Sequence, residues 1–217
     1  MEGQLVDGTF ELQQHLGSCR HTAVFLTTYQ ARRAAIKLVD TGSVDAELQL
    51  ARWELVAALS HPHLIRFYQM GRCQLGDRGL IYIVMEYAQE NLSQVLRERP
   101  LTPAEAREMI EPALDALAYL HDKGFVHGHV KPANIMAVDE QLKISSDVLL
   151  RSGENVAPSW APSAYDAPEI SRGEISPAAD VWSLSATLVE ALTLRSDDID
   201  LDTLPSPFAQ IARGGLK

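Results

Sequence analysis

The segment at residues 127–134 reads His127-Gly128-His129-Val130-Lys131-Pro132-Ala133-Asn134. A long amphipathic pattern that indicates a helix precedes it, and a short pair of strand-like runs follows it. The sequence therefore predicts a loop held between regular elements, an arrangement typical of functional sites. Which kind of site it is depends on the motifs elsewhere in the chain.

The composition predicts a soluble domain with its own hydrophobic core. With 217 residues, 46% of them hydrophobic, the chain can bury a core as one domain or as two small lobes. The net charge of −10, from 19 basic and 29 acidic residues, argues against nucleic acid or an anionic membrane surface as the main partner. The two cysteines, Cys19 and Cys73, form no C-x-x-C motif. The sequence does not begin with a signal peptide pattern, and no apolar run approaches the roughly 18 residues that span a membrane. We therefore expect a cytoplasmic location.

The first half of the chain predicts a small lobe rich in strands. The predicted strands are Phe10–Leu16, Thr22–Tyr29, Arg33–Val39, Leu64–Met70 and Leu80–Tyr87, with turns at 17–20, 30–32 and 71–79. One helix is predicted at Val44–Leu59, because Pro62 disfavours helix just before it. The apolar stripe of this helix is predicted at Leu48, Ala51, Leu55 and Leu59.

The second half is predicted to be mainly helical. A helix is predicted to begin with a capping box of Thr102 and Glu105 and with Pro103 at its first position. Gly124 is the expected end of that helix. Its buried face is predicted at Ala106, Met109, Ile110, Ala113, Leu114, Leu117 and Leu120. A strand pair is predicted at 135–138 and 142–145, and an irregular segment at 146–163. A second helix is predicted at 177–194, with a buried face at Val181, Leu184, Leu188 and Leu192. The start of a further helix is predicted near 204–216.

Five short motifs follow one another in a fixed order. They are Ala34-Ala35-Ile36-Lys37, Val84-Met85-Glu86-Tyr87-Ala88, the loop at 127–134, Ala167-Pro168-Glu169 and Asp180-Val181-Trp182-Ser183-Leu184. Each motif alone is a weak signal. Together and in this order they resemble the protein kinase superfamily, in particular the domains of bacterial serine/threonine protein kinases.

The resemblance implies an α+β, bilobal kinase-like fold in a single domain spanning 1–217. The small strand-rich N-lobe with one helix is expected at about 8–87, the hinge at about 86–90, and the mainly helical C-lobe at about 91–217. Because the chain stops soon after residue 204, we expect the C-lobe to be incomplete at its C-terminal end.

The resemblance also implies a site for ATP with Mg²⁺ and a protein partner or protein substrate. The residues expected to contact the nucleotide are Gly17, Val24, Ala35, Lys37, Met85, Glu86, Ala88, Asn134 and Met136. Lys37 would neutralise phosphates, and the backbone of Glu86 and Ala88 would meet the adenine edge. Lys131, and His129 in place of the catalytic aspartate, would form the catalytic loop, while Asn134 and Asp147 are the candidate metal ligands.

The sequence departs from the kinase pattern at the catalytic positions. Only Gly17 remains of the Gly-rich loop, and Gly128 replaces the arginine that pairs with an activation-loop phosphate. Strand alternation aligns Ser146 with the metal-binding aspartate, whereas counting forward from Asn134 aligns Asp147 and requires a one-residue bulge.

Two further positions remain open or altered. The helix glutamate that should pair with Lys37 falls at Arg52 when counted from His61-Pro62, and at Glu54 when counted from Lys37. Pro162 stands where active serine/threonine kinases carry a threonine. Two functions therefore remain: a catalytically impaired, nucleotide-binding regulatory or scaffold module, or an active or weakly active serine/threonine protein kinase.

Overall fold

The computed structural model describes residues 1–19, 21–154, 163–195 and 204–216. Contacts within it divide the chain into two compact units, Met1–Ser60 with Ile65–Ala88, and His61–Leu64 with Gln89–Lys217. No helix in the described ranges is long and apolar enough to cross a membrane.

The first unit contains a five-stranded antiparallel sheet, a hairpin and one helix. In chain order its elements are β1 (Leu5–Val6), β2 (Phe10–Glu11), β3 (Gln14–Cys19), β4 (Thr22–Tyr29), β5 (Arg32–Asp40), α1 (Ala46–Ala57), β6 (Phe67–Leu75) and β7 (Arg78–Glu86). The strand order in the sheet is β3-β4-β5-β7-β6, while β1 and β2 pair only with each other.

The N-terminal hairpin β1–β2 covers one face of this sheet and was not predicted. Val6 and Phe10 are buried in one cluster with sheet residues such as Ile36 and Tyr82. The Tyr82 hydroxyl donates to the Asp7 carboxylate at 2.7 Å. Burial first, and then this bond, raise the pKa of Tyr82 to about 12. The first twelve residues are therefore part of the folded unit.

The helix α1 packs against the other face with a different side from the one predicted. Leu48 and Leu55, predicted as core, are 50% and 44% exposed, whereas Trp53 and Val56 are 2% and 5% exposed. Trp53 lies in a cluster with sheet residues that include Ile83. The predicted side was chosen from the spacing of leucines. Burying the large indole of Trp53 removes more apolar surface from water than burying one of these leucines.

Two predicted strands in this unit are wrong at their ends. The stretch Phe10–Leu16 is divided between β2 and β3, and β3 continues through the predicted turn, since Gly17 pairs with Val24. The strand predicted at 64–70 lies instead at Phe67–Leu75, and the turn shrinks to residues 76–77. The polar residues at 72 and 74 suggested a turn, but in an edge strand they face solvent while their neighbours are half-buried.

The second unit is mainly helical. Its elements are β8 (Glu90–Asn91), α2 (Leu92–Val95), α3 (Pro103–Asp122), β9 (Phe125–Val126), β10 (Ile135–Val138), β11 (Gln141–Ile144), β12 (Leu150–Arg151), α4 (Pro177–Thr193) and α5 (Phe208–Gly215). The strands form two small sheets, ordered β11-β10-β8 and β12-β9. The irregular segment predicted at 146–163 therefore contains a strand, β12.

The structure contains the capping box and the terminal glycine that were predicted for α3. The Thr102 hydroxyl accepts from the Glu105 N–H, and the Glu105 carboxylate accepts from the Thr102 N–H at 2.8 Å. Gly124 follows α3 with a left-handed φ of 76°. Leu114 and Val181 are exceptions, because they are 45% and 41% exposed and lie at the margins of the buried stripes. Arg20, Pro162 and the acidic stretch 196–203 lie outside the described residues.

Candidate functional site

The loop at 127–134 is attached to α4 through the carboxylate of Asp180. This side chain is fully buried, and its oxygens accept from the N–H groups of His127 at 2.8 Å and Gly128 at 2.7 Å. The Nε2 atom of His121 lies 2.8 Å from the same carboxylate. Gly128 has φ of 72°, a conformation that glycine adopts without steric cost. Asp180 therefore fixes the backbone at the start of the loop.

His127 has a structural position within the loop. Its side chain is fully buried, and Nε2 lies 2.7 Å from the carbonyl oxygen of Ser145. Its Nδ1 accepts from the N–H of His129 at 3.3 Å. Burial lowers the pKa of His127, and the nearby Asp180 charge opposes that shift. A neutral imidazole with Nε2 protonated satisfies both contacts.

His129 is held between a lysine and an aspartate. The Lys131 Nζ atom lies 2.8 Å from Nε2 of His129, and the Asp166 Oδ1 atom lies 3.3 Å from Nδ1. An ammonium group has only hydrogens to donate, so Nε2 accepts and Nδ1 carries the proton that is donated to Asp166. Burial first, and then the Lys131 charge, lower the pKa of His129 to about 4, against the opposing effect of Asp166. His129 is therefore neutral near pH 7.

The contact with Lys131 leads to a prediction about this pKa. In a Lys131→Met variant, the pKa of His129 should rise from about 4 towards the unperturbed value of about 6.5, because one of the two main causes of its lowering is removed. An NMR titration of the imidazole protons measures it. An unchanged pKa in the variant would show that the two side chains are not in contact.

The same shift makes stability depend on pH. Because the folded-state pKa of His129 lies below that of the unfolded chain, the unfolded chain binds more protons between about pH 4 and about pH 6.5. Stability from this group is present above the unfolded pKa and is lost as the pH falls through the folded pKa. Urea unfolding at several pH values should show this fall, and His129→Asn should reduce it.

Asn134 and the segment after β11 lie next to the loop. The side-chain amide of Asn134 donates to the backbone carbonyl oxygen of His129 at 2.8 Å, and the backbone carbonyl oxygen of Asn134 accepts from the Ser145 N–H at 2.9 Å. The hydroxyl of Ser145 donates to the buried carboxylate of Asp147. Among the described residues, no group of three or more histidine, cysteine, aspartate or glutamate side chains is arranged to hold a metal ion.

The hairpin β10–β11 directly precedes the two candidates for the metal-binding position, Ser146 and Asp147. Its pairs run from Ile135 with Ile144 to Val138 with Gln141 without a register shift. It closes on the two residues Asp139 and Glu140, both with positive φ. The hairpin ends at Ile144, so its regular register leaves both Ser146 and Asp147 as candidates in the segment that follows.

In the first unit, five of the predicted nucleotide residues lie on one face of the sheet. Val24 pairs with Gly17 on one side and Lys37 on the other, and Ala35 pairs with Met85. Directly paired residues, and residues two apart in a strand, face the same way. This face is the one that carries α1, opposite the N-terminal hairpin. Of the other predicted residues, Met136 lies in β10 of the second unit.

The remaining candidates of this unit differ in their contacts. The N–H of Glu86 donates to the carbonyl oxygen of Arg66 at 3.0 Å, while among the described residues no backbone bond occupies the N–H of Ala88. On α1, Glu54 is exposed and makes no ion pair within the described ranges, and Arg52 is half-buried. Glu54 is therefore not the carboxylate partner of Lys37 in this structure.

Asp166 is a site residue that was not predicted from the sequence. Its carboxylate accepts from the N–H and the hydroxyl of Ser163, both at 2.9 Å, in addition to facing His129. A Ser-x-x-Asp pattern directly before the Ala167-Pro168-Glu169 motif was the available local signal. The contact with His129, 37 residues away, has no signal of its own in the sequence.

Comparison with known proteins identifies the family. A family model described as protein kinase domain matches residues 10–196. Serine/threonine-protein kinase PknB of Mycobacterium tuberculosis is 36% identical over 148 residues, which cover 63% of this chain and 24% of that protein. CBL-interacting serine/threonine-protein kinase 21 of Arabidopsis thaliana is 28% identical over 219 residues, covering 95% of this chain and 51% of that protein. The chain thus spans about a quarter to a half of the length of these relatives.

The fold has solved counterparts. A singly mutated form of the PknI kinase domain of Mycobacterium tuberculosis matches with a TM-score of 0.73 at 20% identity, covering 99% of this chain and 85% of that one. A doubly mutated form of the same domain matches with a TM-score of 0.73 at 22% identity, covering 94% of this chain and 80% of that one. The predicted α+β kinase-like fold and the resemblance to bacterial serine/threonine kinases are confirmed. The chain belongs to the protein kinase domain family.

Proposed function

We propose that this chain is a catalytically impaired kinase domain that acts as a nucleotide-binding regulatory or scaffold module. The observation that supports it most strongly is the state of His129. Phosphoryl transfer requires an acceptor for the substrate hydroxyl proton, and kinases supply a carboxylate. Here the corresponding side chain is a neutral imidazole with a pKa of about 4, and its one lone pair accepts from Lys131. It is a weak base that carries no negative charge.

The metal site supports the same proposal. Strand alternation from Leu142 and Ile144 favours the alignment of Ser146 with the metal-binding aspartate, and a serine hydroxyl brings no charge to Mg²⁺. Asn134 and Asp147 would be the ligands that remain. Phosphoryl transfer depends almost wholly on positioning and charge neutralisation, so losses at the base and at the metal compound each other.

Nucleotide binding is proposed to survive in weakened form. Lys37 would hold the phosphates of ATP, Val24 and Ala35 would contact the adenine ring, and the N–H of Ala88 would donate to its edge. The shared face of Gly17, Val24, Ala35 and Lys37 supports this assignment. When bound, Mg²⁺ would neutralise phosphate charge. We place the partners of the module among cytoplasmic signalling proteins.

The alternative is an active or weakly active serine/threonine protein kinase. Lys131 and Asn134 favour it, because both lie within one loop against His129, where a substrate phosphate and a metal ion would be handled. On this alternative Asp147, rather than Ser146, would bind Mg²⁺. Transfer of the labelled γ-phosphate of ATP to a protein separates the two functions.

A thermal shift experiment tests nucleotide binding. ATP at ten times its dissociation constant should raise the melting temperature by about 3 °C or more, with or without Mg²⁺. Lys37→Ala should abolish the shift, because the phosphate-binding cation is lost. Lys123→Ala, which removes an exposed lysine of the second unit, is the matched control and should keep it. No shift under any condition would contradict nucleotide binding and favour a pure scaffold.

A further inference from the structure

Two tyrosines stack on the face of the first-unit sheet that carries the N-terminal hairpin. The ring centroids of Tyr29 and Tyr68 lie 4.8 Å apart, and the rings are nearly parallel, at 4°. Both rings are half-buried, because they pack on the cluster that includes Phe10 and Ala34. Their neighbours therefore hold them in place while part of each ring remains accessible. A partner that covered these rings would restrict little side-chain motion that is not already restricted.

Two arginines flank the tyrosine pair on the same face. Arg32 is paired directly with Tyr29 in the β4–β5 register, so their side chains point the same way. Arg66 and Tyr68 lie on either side of Phe67, which packs with α1 on the other face, so alternation directs Arg66 towards the hairpin face. Both arginines are exposed, and neither has a side-chain partner in the ranges that the structure describes.

The charge at this end of the sheet is positive. The N–H of Arg66 donates to the Glu86 carboxylate at 2.9 Å, which places one acid beside the arginines. Arg33 adds a third cation at the rim, where its exposed guanidinium lies 4.3 Å from the ring centroid of Tyr87. Three cations and one carboxylate therefore lie together, on a chain whose net charge is −10. The four residues that share the hairpin face are called the arginine patch: Tyr29, Arg32, Arg66 and Tyr68.

The chemistry of the arginine patch points to an acidic peptide. Tyrosine and arginine are enriched among the residues that contribute most to binding at protein interfaces. A guanidinium without a carboxylate partner can bind one in a bidentate pair, and tyrosine rings can cover an apolar side chain. The occupant that fits is a short segment with aspartate or glutamate around an apolar residue.

Two other occupants fit less well. Nucleic acid would extend its phosphates beyond the arginine patch over a chain with a net charge of −10, which would repel them. A second copy of the chain, docked through a two-fold contact, would bring its own arginines against Arg32 and Arg66. A short acidic segment avoids both costs.

We propose that the arginine patch docks a peptide segment of a partner protein in which an apolar side chain is flanked by aspartate or glutamate. Docking would serve the proposed scaffold role. It does not depend on nucleotide binding, because none of the four residues is a candidate nucleotide, catalytic or metal residue. Acidic flanks would speed the encounter with the arginines and make binding weaken as salt is added.

Selection from a phage-displayed library of random twelve-residue peptides tests this docking on the full chain. Wild type is panned in parallel with a patch variant, Arg32→Glu with Arg66→Glu. The control variant, Arg78→Glu with Arg107→Glu, makes the same charge change at two exposed arginines outside the patch. Peptides enriched on wild type should carry at least two acidic residues next to an apolar one. A synthetic peptide of the enriched sequence should bind the patch variant about tenfold or more weakly, and the control variant within about twofold of wild type.

A second patch variant guards against misfolding. Arg32→Gln with Arg66→Gln removes both cations without adding acids, and it should weaken peptide binding about fivefold or more. The peptide should bind wild type equally with and without ATP, so a failure of nucleotide binding would leave docking unaffected. NMR shift changes on peptide binding should centre on residues 29–32 and 66–68.

Several outcomes would overturn the proposal. They are the absence of enrichment on wild type, enriched peptides without acidic residues, equal binding to wild type and both patch variants, and NMR changes confined to another surface. A labelled single-stranded DNA of twenty nucleotides that binds more tightly than the peptide, and only to an intact patch, would assign the surface to nucleic acid instead. A dimer in sedimentation that either patch variant dissociates would assign it to a second copy instead.

Discussion

Asp180→Ala should destabilise the second unit by about 3–5 kcal/mol. The buried carboxylate of Asp180 accepts from the N–H groups of His127 and Gly128 and contacts His121. Alanine would leave two buried backbone donors without an acceptor, and each such donor costs about 1–3 kcal/mol. Asp180→Asn should cost less, because one of its two side-chain groups can still accept.

Urea unfolding of the variant and of wild type measures this loss. Asp122→Ala is the control, because Asp122 is a largely exposed aspartate at the end of α3 and should change stability by less than about 1 kcal/mol. Hydrogen exchange adds a local readout: the amides of His127 and Gly128 should exchange faster in Asp180→Ala than in wild type. Equal stability of the two variants would show that the carboxylate does not hold the loop.

Trp53→Ala is the second large effect, with an expected loss of about 3–5 kcal/mol in the first unit. Trp53 is 2% exposed and packs with Val39, Ile81 and Ile83, so its removal leaves a cavity beneath α1. Leu55→Ala, on the same helix, should cost less than about 1 kcal/mol, because Leu55 is already 44% exposed.

Thermal and urea unfolding followed by circular dichroism compare these two variants directly. The order of their effects separates the observed packing of α1 from the one that leucine spacing predicts. A larger loss in Leu55→Ala than in Trp53→Ala would mean that the helix is rotated so that its leucine stripe faces the sheet.

Features encoded by neighbouring residues could be predicted from the sequence. The start of α3 was predicted because Thr102 and Glu105 bond each other's backbone, which is a local interaction. The β10–β11 hairpin was predicted because its strands and turn all lie within residues 135–144. The order of the kinase motifs then gave the family and the fold, which the comparisons confirm.

Features that depend on distant partners could not be predicted in the same way. The hairpin β1–β2 is stabilised by burial of Val6 and Phe10 and by the bond from Tyr82 to Asp7, 75 residues away in sequence. The buried side of α1 was mispredicted because the choice between Trp53 and the leucines is made by the sheet beneath it. The spacing of apolar residues within one helix does not show which of its sides the sheet will cover.

The candidate site also combines features that could be predicted from the sequence with features that depend on distant partners. The loop at 127–134 and the motif that begins at Asp180 were recognised from their sequence and order. The ring of His129 was predicted only as a replacement for an aspartate. Only the folded structure shows that Lys131 contacts one ring nitrogen of His129 and Asp166 the other. These two contacts are the main support for the proposal of impaired catalysis.

Transfer of the labelled γ-phosphate of ATP tests that proposal most directly. Wild type, Lys37→Met and His129→Asp are incubated with labelled ATP, with Mg²⁺ or Mn²⁺, and with a general protein substrate. We expect no transfer that depends on Lys37, and no increase in His129→Asp, because the metal site is altered as well. Wild-type transfer that disappears in Lys37→Met and increases in His129→Asp would contradict it.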